Sequence, residues 1–397
     1  MFKDPVVIVG AGPVGCVLAY ALAKNGIPSV LLEQESDLRE DLRASTFHPP
    51  TLDMLDDLDL VEELLSLGLI CPKFQFRDRR TERYAEFDLD VLKEETQHPY
   101  RAQVEQFRLT RLICERLKRE PLIDVLFGHK VIQVDQEDIC VRLEIETSEG
   151  LKRLSASYVV GTDGGPSIVR RSAHIDFPGF TYPEKFIVVS TAYPLENHLK
   201  GLSYVNYIAD PGEWMTIIRC NNLWRLSVPA DPSQSDDALL QESNVQRIMR
   251  DLTQTQDPIE IAHRNIYAVN QRVAETYRKG RVLLAGDAAH VNNPLGGMGM
   301  NGGIHDAVNL GEKLVAIRDG ANDSVLDVYD RQRRIVATKF VQEQSIRNKE
   351  DLENKDKAQH EAKLLHLMDV AADPALAKDY LLSSSMINVV RESYSID

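Results

Sequence analysis

The stretch that decides the fold is residues 6–23, VVIVGAGPVGCVLAYALA. It opens with four apolar, β-branched residues, which is typical of a strand buried on both faces of a parallel sheet. The pattern Gly-x-Gly-x-x-Gly follows at Gly10, Gly12 and Gly15, and apolar residues then recur at helical spacing. Residues 28–33 supply a second strand, so the chain is predicted to open with a β-α-β unit.

This glycine turn is suited to hold a dinucleotide. Glycines permit a tight turn and let backbone amides approach a pyrophosphate, and Glu33 at the end of the second strand can accept hydrogen bonds from a ribose. The alternatives are a glycine-rich packing turn and, for Glu33, a solvated strand end. We predict that the cofactor contacts Gly10, Gly12, Pro13, Val14, Gly15, Glu33 and Gln34.

Two further acidic residues stand at strand ends. Asp163 follows the apolar run at 158–161, and Asp287 follows the run at 282–286. Ligands of open α/β sheets bind at the carboxyl ends of the strands, so both carboxylates are candidates for the same site. Either residue alone could equally belong to an ordinary turn.

Composition narrows the class of protein. The chain has 397 residues, 43% of them hydrophobic, which is enough for a full core in two domains or one composite domain. A net charge of -15 argues against nucleic acid as a partner, because nucleic-acid binders usually show a basic footprint.

The five cysteines are scattered, and none forms a Cys-x-x-Cys pair, so neither a disulfide framework nor a metal site is predicted. Glycines and Pro13 interrupt the apolar run at 6–23, which therefore indicates neither a signal peptide nor a membrane span. We expect a cytoplasmic protein.

The longest glycine-rich motif covers residues 280–303, GRVLLAGDAAHVNNPLGGMGMNGG, and a helix is predicted to follow from 304 to 318. Together with the opening fingerprint and VVGTDGGPSIVRR at 159–171, it resembles the single-component FAD-dependent aromatic hydroxylases. These are the class A flavoprotein monooxygenases of the para-hydroxybenzoate hydroxylase and phenol hydroxylase type. The matching motifs occur in the order expected for that family.

The resemblance implies an FAD-dependent monooxygenase that uses NADH or NADPH and O2. The expected reaction hydroxylates a small phenolic or N-heteroaromatic molecule through a flavin C4a-hydroperoxide. Only one dinucleotide fingerprint is present, so the nicotinamide nucleotide is expected to bind transiently, without a domain of its own. The sequence does not indicate which of the two nucleotides, NADH or NADPH, is used.

The resemblance also assigns cofactor contacts. The loop from Pro294 to Asn301 would lie along the isoalloxazine, and the backbone amides of Met300 and Asn301 would face the flavin edge that gathers negative charge. Arg43 would reach the cofactor from an early loop. The further contacts it implies are Gln106, Asp163, Gly286, Asp287, Gly297 and Gly299.

Candidates for substrate contact or catalysis are His48, Tyr204, Tyr207 and Arg219. The last three belong to strand-like segments, where side chains alternate between two faces, so only one of each neighbouring pair can face the substrate. Core packing or solvent exposure is the alternative for each.

The predicted fold class is α/β. A discontinuous Rossmann-like FAD-binding domain of the glutathione reductase type would comprise residues 1–72, 100–176 and 277–340. Residues 73–99 and 177–276 would form an inserted, mainly antiparallel substrate-binding sheet, and 341–397 a C-terminal helical segment. The charged part of that segment leaves two alternatives, a homodimer surface and a solvated face.

Three alternative functions are also compatible with an FAD-binding chain. A flavoprotein reductase would not insert oxygen, and a flavin-dependent halogenase usually shows a Trp-x-Trp-x-Ile-Pro stretch, which Trp214 and Trp224 do not form. A non-catalytic flavin-binding regulatory protein would show no turnover. Substrate-stimulated oxidation of the nicotinamide nucleotide and an added oxygen atom separate these alternatives from a hydroxylase.

Overall fold

The computed structural model describes residues 2–40, 44–210, 213–353 and 356–397. The strands are β1 (Val6–Val9), β2 (Ser29–Leu32), β3 (Thr46–Phe47), β4 (Leu69–Cys71), β5 (Lys73–Asp78), β6 (Tyr84–Asp88), β7 (Arg101–Gln103), β8 (Ile123–Leu126), β9 (Lys130–Gln136), β10 (Val141–Thr147), β11 (Gly150–Ala156), β12 (Tyr158–Gly161), β13 (Gly179–Thr191), β14 (Val205–Ala209), β15 (Met215–Cys220), β16 (Leu223–Ala230), β17 (His263–Val273), β18 (Arg278–Lys279), β19 (Val282–Leu284) and β20 (His290–Val291).

The α-helices are α1 (Pro13–Lys24), α2 (Pro49–Asp56), α3 (Val61–Ser66), α4 (Gln106–Leu117), α5 (Ile168–Ser172), α6 (Asp236–Leu239), α7 (Glu242–Thr253), α8 (Met298–Arg318), α9 (Val325–Val336), α10 (Glu343–Glu353), α11 (Lys357–Ala372), α12 (Pro374–Ser384) and α13 (Ile387–Ser395). A π-helical segment, Ala337–Gln342, joins α9 to α10, and short 3-10 turns cover Leu89–Leu92, Leu195–Asn197 and Gly286–Ala288.

The first sheet has the strand order β18-β19-β12-β1-β2-β8. Strand β1 lies at its centre and pairs in parallel with β2 and with β12, so all four of its residues are buried. Helix α1 connects β1 to β2, which confirms the predicted β-α-β opening and the α/β fold class. The carboxyl ends of β1, β12 and β19 therefore meet at one edge of this sheet.

Helix α8 begins at Met298, earlier than the predicted start at residue 304. Its glycines allow a close approach rather than a loop: a Cβ on Gly303 would lie 2.6 Å from Cγ2 of Val14 and 3.0 Å from Cα of Gly286. A glycine-rich pattern normally lowers helix propensity, but here tertiary packing against α1 outweighs that preference.

The second sheet has the order β20-β17-β13-β16-β15-β14-β5-β6. All neighbouring strands run antiparallel except β14 and β5, which confirms the mainly antiparallel layer. One face of β15 and β16 packs against α7 through Ile217, Leu226 and Ile248. The other face is turned toward the first sheet. The limits of the two domains stay a prediction.

Smaller sheets complete the layers. Strands β9, β10 and β11 form an antiparallel meander, and β3, β7 and β4 form a short sheet beside α2. In the C-terminal part of the chain, helix α11 packs on β6 and on α12. Within the described ranges, no helix combines the length and the apolar character needed to cross a bilayer.

Candidate active site

A cavity of about 850 Å³ lies between the two sheets. One end is walled by the glycine turn after β1 and by the ends of β2 and β12, and the other end by β14, β15 and β16. Of the predicted cofactor contacts, its wall contains Gly10, Gly12, Pro13, Val14, Glu33, Gln34, Gln106, Asp163, Asp287, Pro294, Gly297, Gly299 and Met300. Gly15, Gly286 and Asn301 lie behind the wall, and Arg43 is outside the described residues.

The glycine turn is shaped by close backbone contacts. Gly10 has φ of +106°, and a Cβ there would lie 2.6 Å from the carbonyl oxygen of Thr162, so a side chain cannot be accommodated. Gly12 in contrast has no atom of the described residues within 4 Å of its Cβ position, and it lines the cavity. The Oε2 atom of Glu33 accepts a hydrogen bond from the amide of Ala11 at 2.9 Å, which ties β2 to the turn.

Asp163 lines the cavity and is held at the start of α5. Its Oδ2 atom accepts hydrogen bonds from the amides of Ile168 (2.7 Å) and Val169 (3.2 Å) at the start of α5. Its Oδ1 atom is buried without a partner among the described residues. Burial raises the pKa of Asp163, although these hydrogen bonds act in the opposite direction. A buried carboxylate oxygen of this kind is uncommon in a folded protein.

The glycine-rich loop, residues 294–301, forms the floor of the cavity and runs into α8. Gly296 and Gly297 have φ of +90° and +68°, a region that glycine adopts without strain. Because α8 begins at Met298, the amides of its first turn have no intrahelical acceptor and carry the positive end of the helix dipole. This turn is suited to face an electron-rich edge of a bound ring.

Asn301 and His48 hold the glycine-rich loop in place. The Nδ2 group of Asn301 donates to the carbonyl oxygens of Thr46 (2.8 Å) and Gly297 (2.6 Å), and its Oδ1 atom accepts from the amide of His48 at 2.9 Å. The Nε2 atom of His48 lies 2.7 Å from the Gly296 carbonyl and therefore carries the proton. Burial, with the charge of Arg101, holds the pKa of His48 well below its ordinary value. Through this hydrogen bond His48 positions the loop. It does not line the cavity.

A buried ionic cluster fixes the turn at Gly286. Asp306 on α8 accepts hydrogen bonds from the Gly286 amide (3.0 Å), His290 Nε2 (2.9 Å) and Arg333 Nε (2.7 Å). Arg333 on α9 also donates to the carbonyl of Gly302. Burial alone would raise the pKa of Asp306, but the charges of Arg333 and His290 bring it below its ordinary value. The cluster thus anchors the turn that presents Asp287.

Three strands supply the far wall of the cavity. Tyr207, Thr216 and Ser227 pair across β14, β15 and β16, so their side chains share one face of the sheet. Ile218 and Arg225 form the next row on that face. The full wall at this end contains Phe186, Tyr207, Thr216, Ile218, Arg225 and Ser227.

Tyr207 is held in a fixed orientation by Arg101 and by an aromatic cluster. Its ring stacks on Phe76 at a centroid distance of 4.9 Å, and its hydroxyl oxygen accepts a hydrogen bond from Arg101 Nη1 at 3.3 Å. Arginine can only donate, so the hydroxyl proton of Tyr207 is directed elsewhere. Because Tyr207 lines the cavity, it is positioned to donate that proton to a bound molecule.

The other two sequence candidates on this sheet lie outside the cavity. Tyr204 precedes β14 and is 43% exposed. Arg219 follows Ile218 and therefore points to the opposite face, where its guanidinium lies 5.0 Å from the ring centroid of Trp224. Strand alternation thus places Arg219 away from the cavity wall, and Tyr204 lies on the protein surface.

Sequence reasoning missed Arg225, Arg101 and Asn292. Arg225 and Arg101 are isolated polar residues with no motif around them, whereas Asn292 lies inside the motif at 280–303 and only its position in the fold makes it notable there. Asn292 lines the cavity, and its Oδ1 atom is buried without a partner in the described part of the chain. Strand alternation could have placed Arg225 only if the register of β16 had been known.

The residues present fit FAD. The open face at Gly12 leaves room for a pyrophosphate, and Glu33 stands where a ribose would be bound. Asp163 and Asn292 line the cavity, and each has one buried oxygen without a partner among the described residues. The first turn of α8 supplies amide donors beside the remaining space.

The buried imidazole of His305 predicts a loss of stability on acidification. Burial lowers the pKa of His305 to about 3, and its Nε2 atom bonds to Thr51 Oγ1. In the unfolded chain this imidazole titrates near about 6.5. Between these two pKa values the unfolded state binds one more proton, so the free energy of unfolding falls by about 1.4 kcal/mol per pH unit as pH decreases.

Urea unfolding between about pH 7 and 5 is therefore expected to show a shallower pH dependence in His305→Gln than in the unsubstituted protein, because the glutamine does not titrate. Equal slopes in the two proteins would contradict a neutral, buried His305.

Comparison with known proteins agrees with this geometry. The family described as FAD binding domain matches residues 3–344. The para-nitrophenol 4-monooxygenase of Pseudomonas sp. (strain WBC-3) is 35% identical over 390 residues, 97% of this chain and 96% of that protein. The 6-hydroxy-3-succinoylpyridine 3-monooxygenase of Pseudomonas putida (strain DSM 28022 / S16) is 32% identical over 354 residues, 89% of each chain.

A solved structure extends the likeness to the whole fold. The crystal structure of p-nitrophenol 4-monooxygenase from Pseudomonas putida DLL-E4 superposes with a TM-score of 0.92 at 32% identity, covering 98% of both chains.

Proposed function

Because this chain belongs to the FAD binding domain family of FAD-dependent aromatic monooxygenases, we propose that it hydroxylates a single aromatic ring that carries a hydroxyl group, using NADH or NADPH and O2. Compounds of the nitrophenol and hydroxypyridine kind, for which the two relatives are named, are the substrates that we propose for it.

The continuity of the cavity carries this proposal. The same space that begins at the glycine turn ends at Tyr207 and Ser227 on the second sheet. A dinucleotide in the first part would place its ring system beside the glycine-rich loop, and the remaining wall combines Phe186 and Ile218 with a few polar groups. Such an apolar wall with convergent polar groups is typical of a small-molecule site.

When bound, FAD supplies the acceptance of hydride and the transfer of one oxygen atom from O2. The chain's own residues have two tasks. Tyr207 donates a hydrogen bond to the hydroxyl oxygen of the substrate and stabilises it as negative charge develops there, because Arg101 donates to the Tyr207 oxygen and leaves the hydroxyl proton to point elsewhere. The sheet and the glycine-rich loop hold the ring in place and exclude water.

The proposal is tested with the purified, FAD-loaded protein. NADH and NADPH oxidation is measured with p-nitrophenol, hydroxypyridines and hydroxyphenylpropionates, and products are identified by mass. We expect at least one of these compounds to accelerate the oxidation and to yield a product that contains one oxygen atom from O2. If none of them does, the proposed substrate class is wrong.

Tyr207→Phe is expected to lower kcat/KM for the accepted substrate by about 10- to 100-fold, because a hydrogen bond to a charged oxygen is lost. FAD content is expected to be unchanged. Tyr204→Phe removes an exposed hydroxyl outside the cavity and serves as the matched control, with unaltered kinetics expected. If both variants behave alike, Tyr207 does not contact the substrate.

A further inference from the structure

Asn293 is fully buried at the point where the chain enters the glycine-rich loop. Its Nδ2 group donates a hydrogen bond to the carbonyl oxygen of Ser345 at 2.8 Å, and its Oδ1 atom accepts one from the amide of Leu295 at 3.1 Å. Its own amide donates to Oε1 of Gln271 at 3.0 Å. Asn293 therefore closes a local turn and also joins the loop to two distant elements, β17 and α10.

These two elements are joined to each other at the same place. The Nε2 group of Gln271 donates to Oγ of Ser345 at 3.1 Å, and that hydroxyl donates to the carbonyl oxygen of Gln342 at 3.0 Å. Gln271 and Ser345 are both buried. A buried polar network of this kind favours one arrangement, because a displacement leaves polar groups without their partners. The start of the loop is thus fixed against α10.

Helix α10 follows an irregular segment. The π-helical stretch Ala337–Gln342 separates it from α9, and such stretches are rare and frequently occur at functional sites. Their i→i+5 hydrogen bonds accommodate an extra residue, and one residue corresponds to about 100° of rotation in an α-helix. The inward face of α10 carries Ser345 and Leu352. Leu352 shares a buried apolar cluster with Leu295 of the loop and Phe186 of the cavity wall.

The glycine-rich loop depends on supports at both of its ends. Gly296 and Gly297 adopt positive φ, and glycine restricts the backbone less than other residues do. Asn301 and His48 hold the end of the loop that enters α8. Asn293 is the corresponding anchor at the opposite end, so its contact with α10 helps to set where the loop and the first turn of α8 lie.

We propose that Asn293 is a positioning residue for the reaction: through its hydrogen bond to Ser345 of α10, it sets the position of the glycine-rich loop against bound FAD and thereby the reduction potential of the flavin. Reduced flavin carries more negative charge than oxidised flavin, and the amides at the start of α8 stabilise negative charge. A loop released from α10 would hold these amides less closely, so the reduced form would lose stabilisation and the potential would fall.

Asn293→Ser and Asn293→Ala separate the two contacts of this side chain. A serine hydroxyl can still accept from the Leu295 amide but is too short to reach the Ser345 carbonyl, whereas alanine makes neither contact. Ser345→Ala keeps the carbonyl acceptor and loses only the hydroxyl. Gln246→Ala is the matched control, because Gln246 is a buried amide on α7 that bonds to the backbone of Ile259, away from the cavity.

The reduction potential of bound FAD is measured without O2 by equilibration with a reference dye, and FAD content and urea unfolding midpoints are recorded for each protein. We expect Asn293→Ser and Asn293→Ala to retain FAD and to shift the equilibrium about tenfold toward oxidised flavin, which lowers the potential of a two-electron couple by about 30 mV. Ser345→Ala should shift it by less than about threefold, since the hydrogen bond from Asn293 remains. Gln246→Ala should lower the unfolding midpoint without altering the potential.

An unchanged potential in both Asn293 variants, or an equal decrease in Gln246→Ala, would overturn the inference, because Asn293 would then serve only the fold. Loss of FAD from folded Asn293→Ser would also overturn it, since the residue would then retain the cofactor rather than set its potential. A decrease in Asn293→Ala alone would assign the effect to the turn with Leu295 and contradict a role of α10. The outcome is independent of the proposed substrate, since no aromatic compound is added.

Discussion

Asp306→Asn is expected to lower the free energy of unfolding by about 3–5 kcal/mol, because it leaves the buried Arg333 guanidinium without its counter-charge. Both side chains are almost fully removed from solvent, and their Oδ1 and Nε atoms are 2.7 Å apart. The same substitution weakens the hydrogen bonds to the Gly286 amide and to His290. The turn that presents Asp287 to the cavity would lose its anchor, so FAD affinity should fall as well.

Urea unfolding followed by circular dichroism, with flavin fluorescence for FAD release, measures both effects of Asp306→Asn. Asp319→Asn is the matched control, since Asp319 forms an exposed pair with Arg318. Exposed pairs contribute little, so this control should retain the unfolding midpoint of the unsubstituted protein. A similar small change in both variants would mean that the buried cluster does not stabilise the site.

Substitutions of two glycines of the same turn, Gly12 and Gly15, are expected to have different outcomes. In Gly15→Ala the added Cβ would lie 2.0 Å from the carbonyl oxygen of Gly10 and 2.7 Å from Thr162 Oγ1, so the contact of α1 with β1 cannot form. We expect little folded protein and no bound FAD. In Gly12→Ala the added Cβ meets no atom within 4 Å in the part of the chain that the structure describes, and φ of -72° is allowed for alanine.

Gly12→Ala is therefore expected to fold with an unchanged unfolding midpoint, yet to bind FAD at least about tenfold more weakly, because the methyl group occupies the space that a pyrophosphate needs. Titration of the apoprotein with FAD, followed by flavin fluorescence, measures this affinity. Unaltered FAD affinity in Gly12→Ala would mean that the pyrophosphate lies elsewhere. A well-folded, FAD-containing Gly15→Ala would contradict the close packing of α1.

The β-α-β opening could be predicted because its signals are local. The apolar run, the glycine spacing and Glu33 lie within one short stretch, and hydrophobic periodicity alone assigns its elements. The start of α8 could not be predicted in this way. Gly299, Gly302 and Gly303 suggest a loop by propensity, whereas in the fold Gly303 lets α8 approach α1 and the Gly286 turn, and Gly302 lies against His290.

The substrate wall was only partly predictable for a related reason. Tyr204 and Tyr207 are equally plausible in the sequence, and only the pairing of β14 with β15 shows that Tyr207 shares the cavity face with Thr216. Arg101 precedes Tyr207 by more than a hundred residues, and their contact arises from the parallel pairing of β5 with β14 and the aromatic cluster there. Strand register is set by long-range contacts that no local pattern reports.

The central claim is that the cavity between the two sheets transfers one atom of O2 to an aromatic ring. The most direct measurement is a reaction under ¹⁸O₂ with FAD-loaded protein, NADH or NADPH, and the phenol that most accelerates nucleotide oxidation, followed by mass spectrometry. The account predicts a product that carries one ¹⁸O atom, and loss of most of this product in Tyr207→Phe. Accelerated oxidation that yields only hydrogen peroxide and an unlabelled ring for every compound would contradict it.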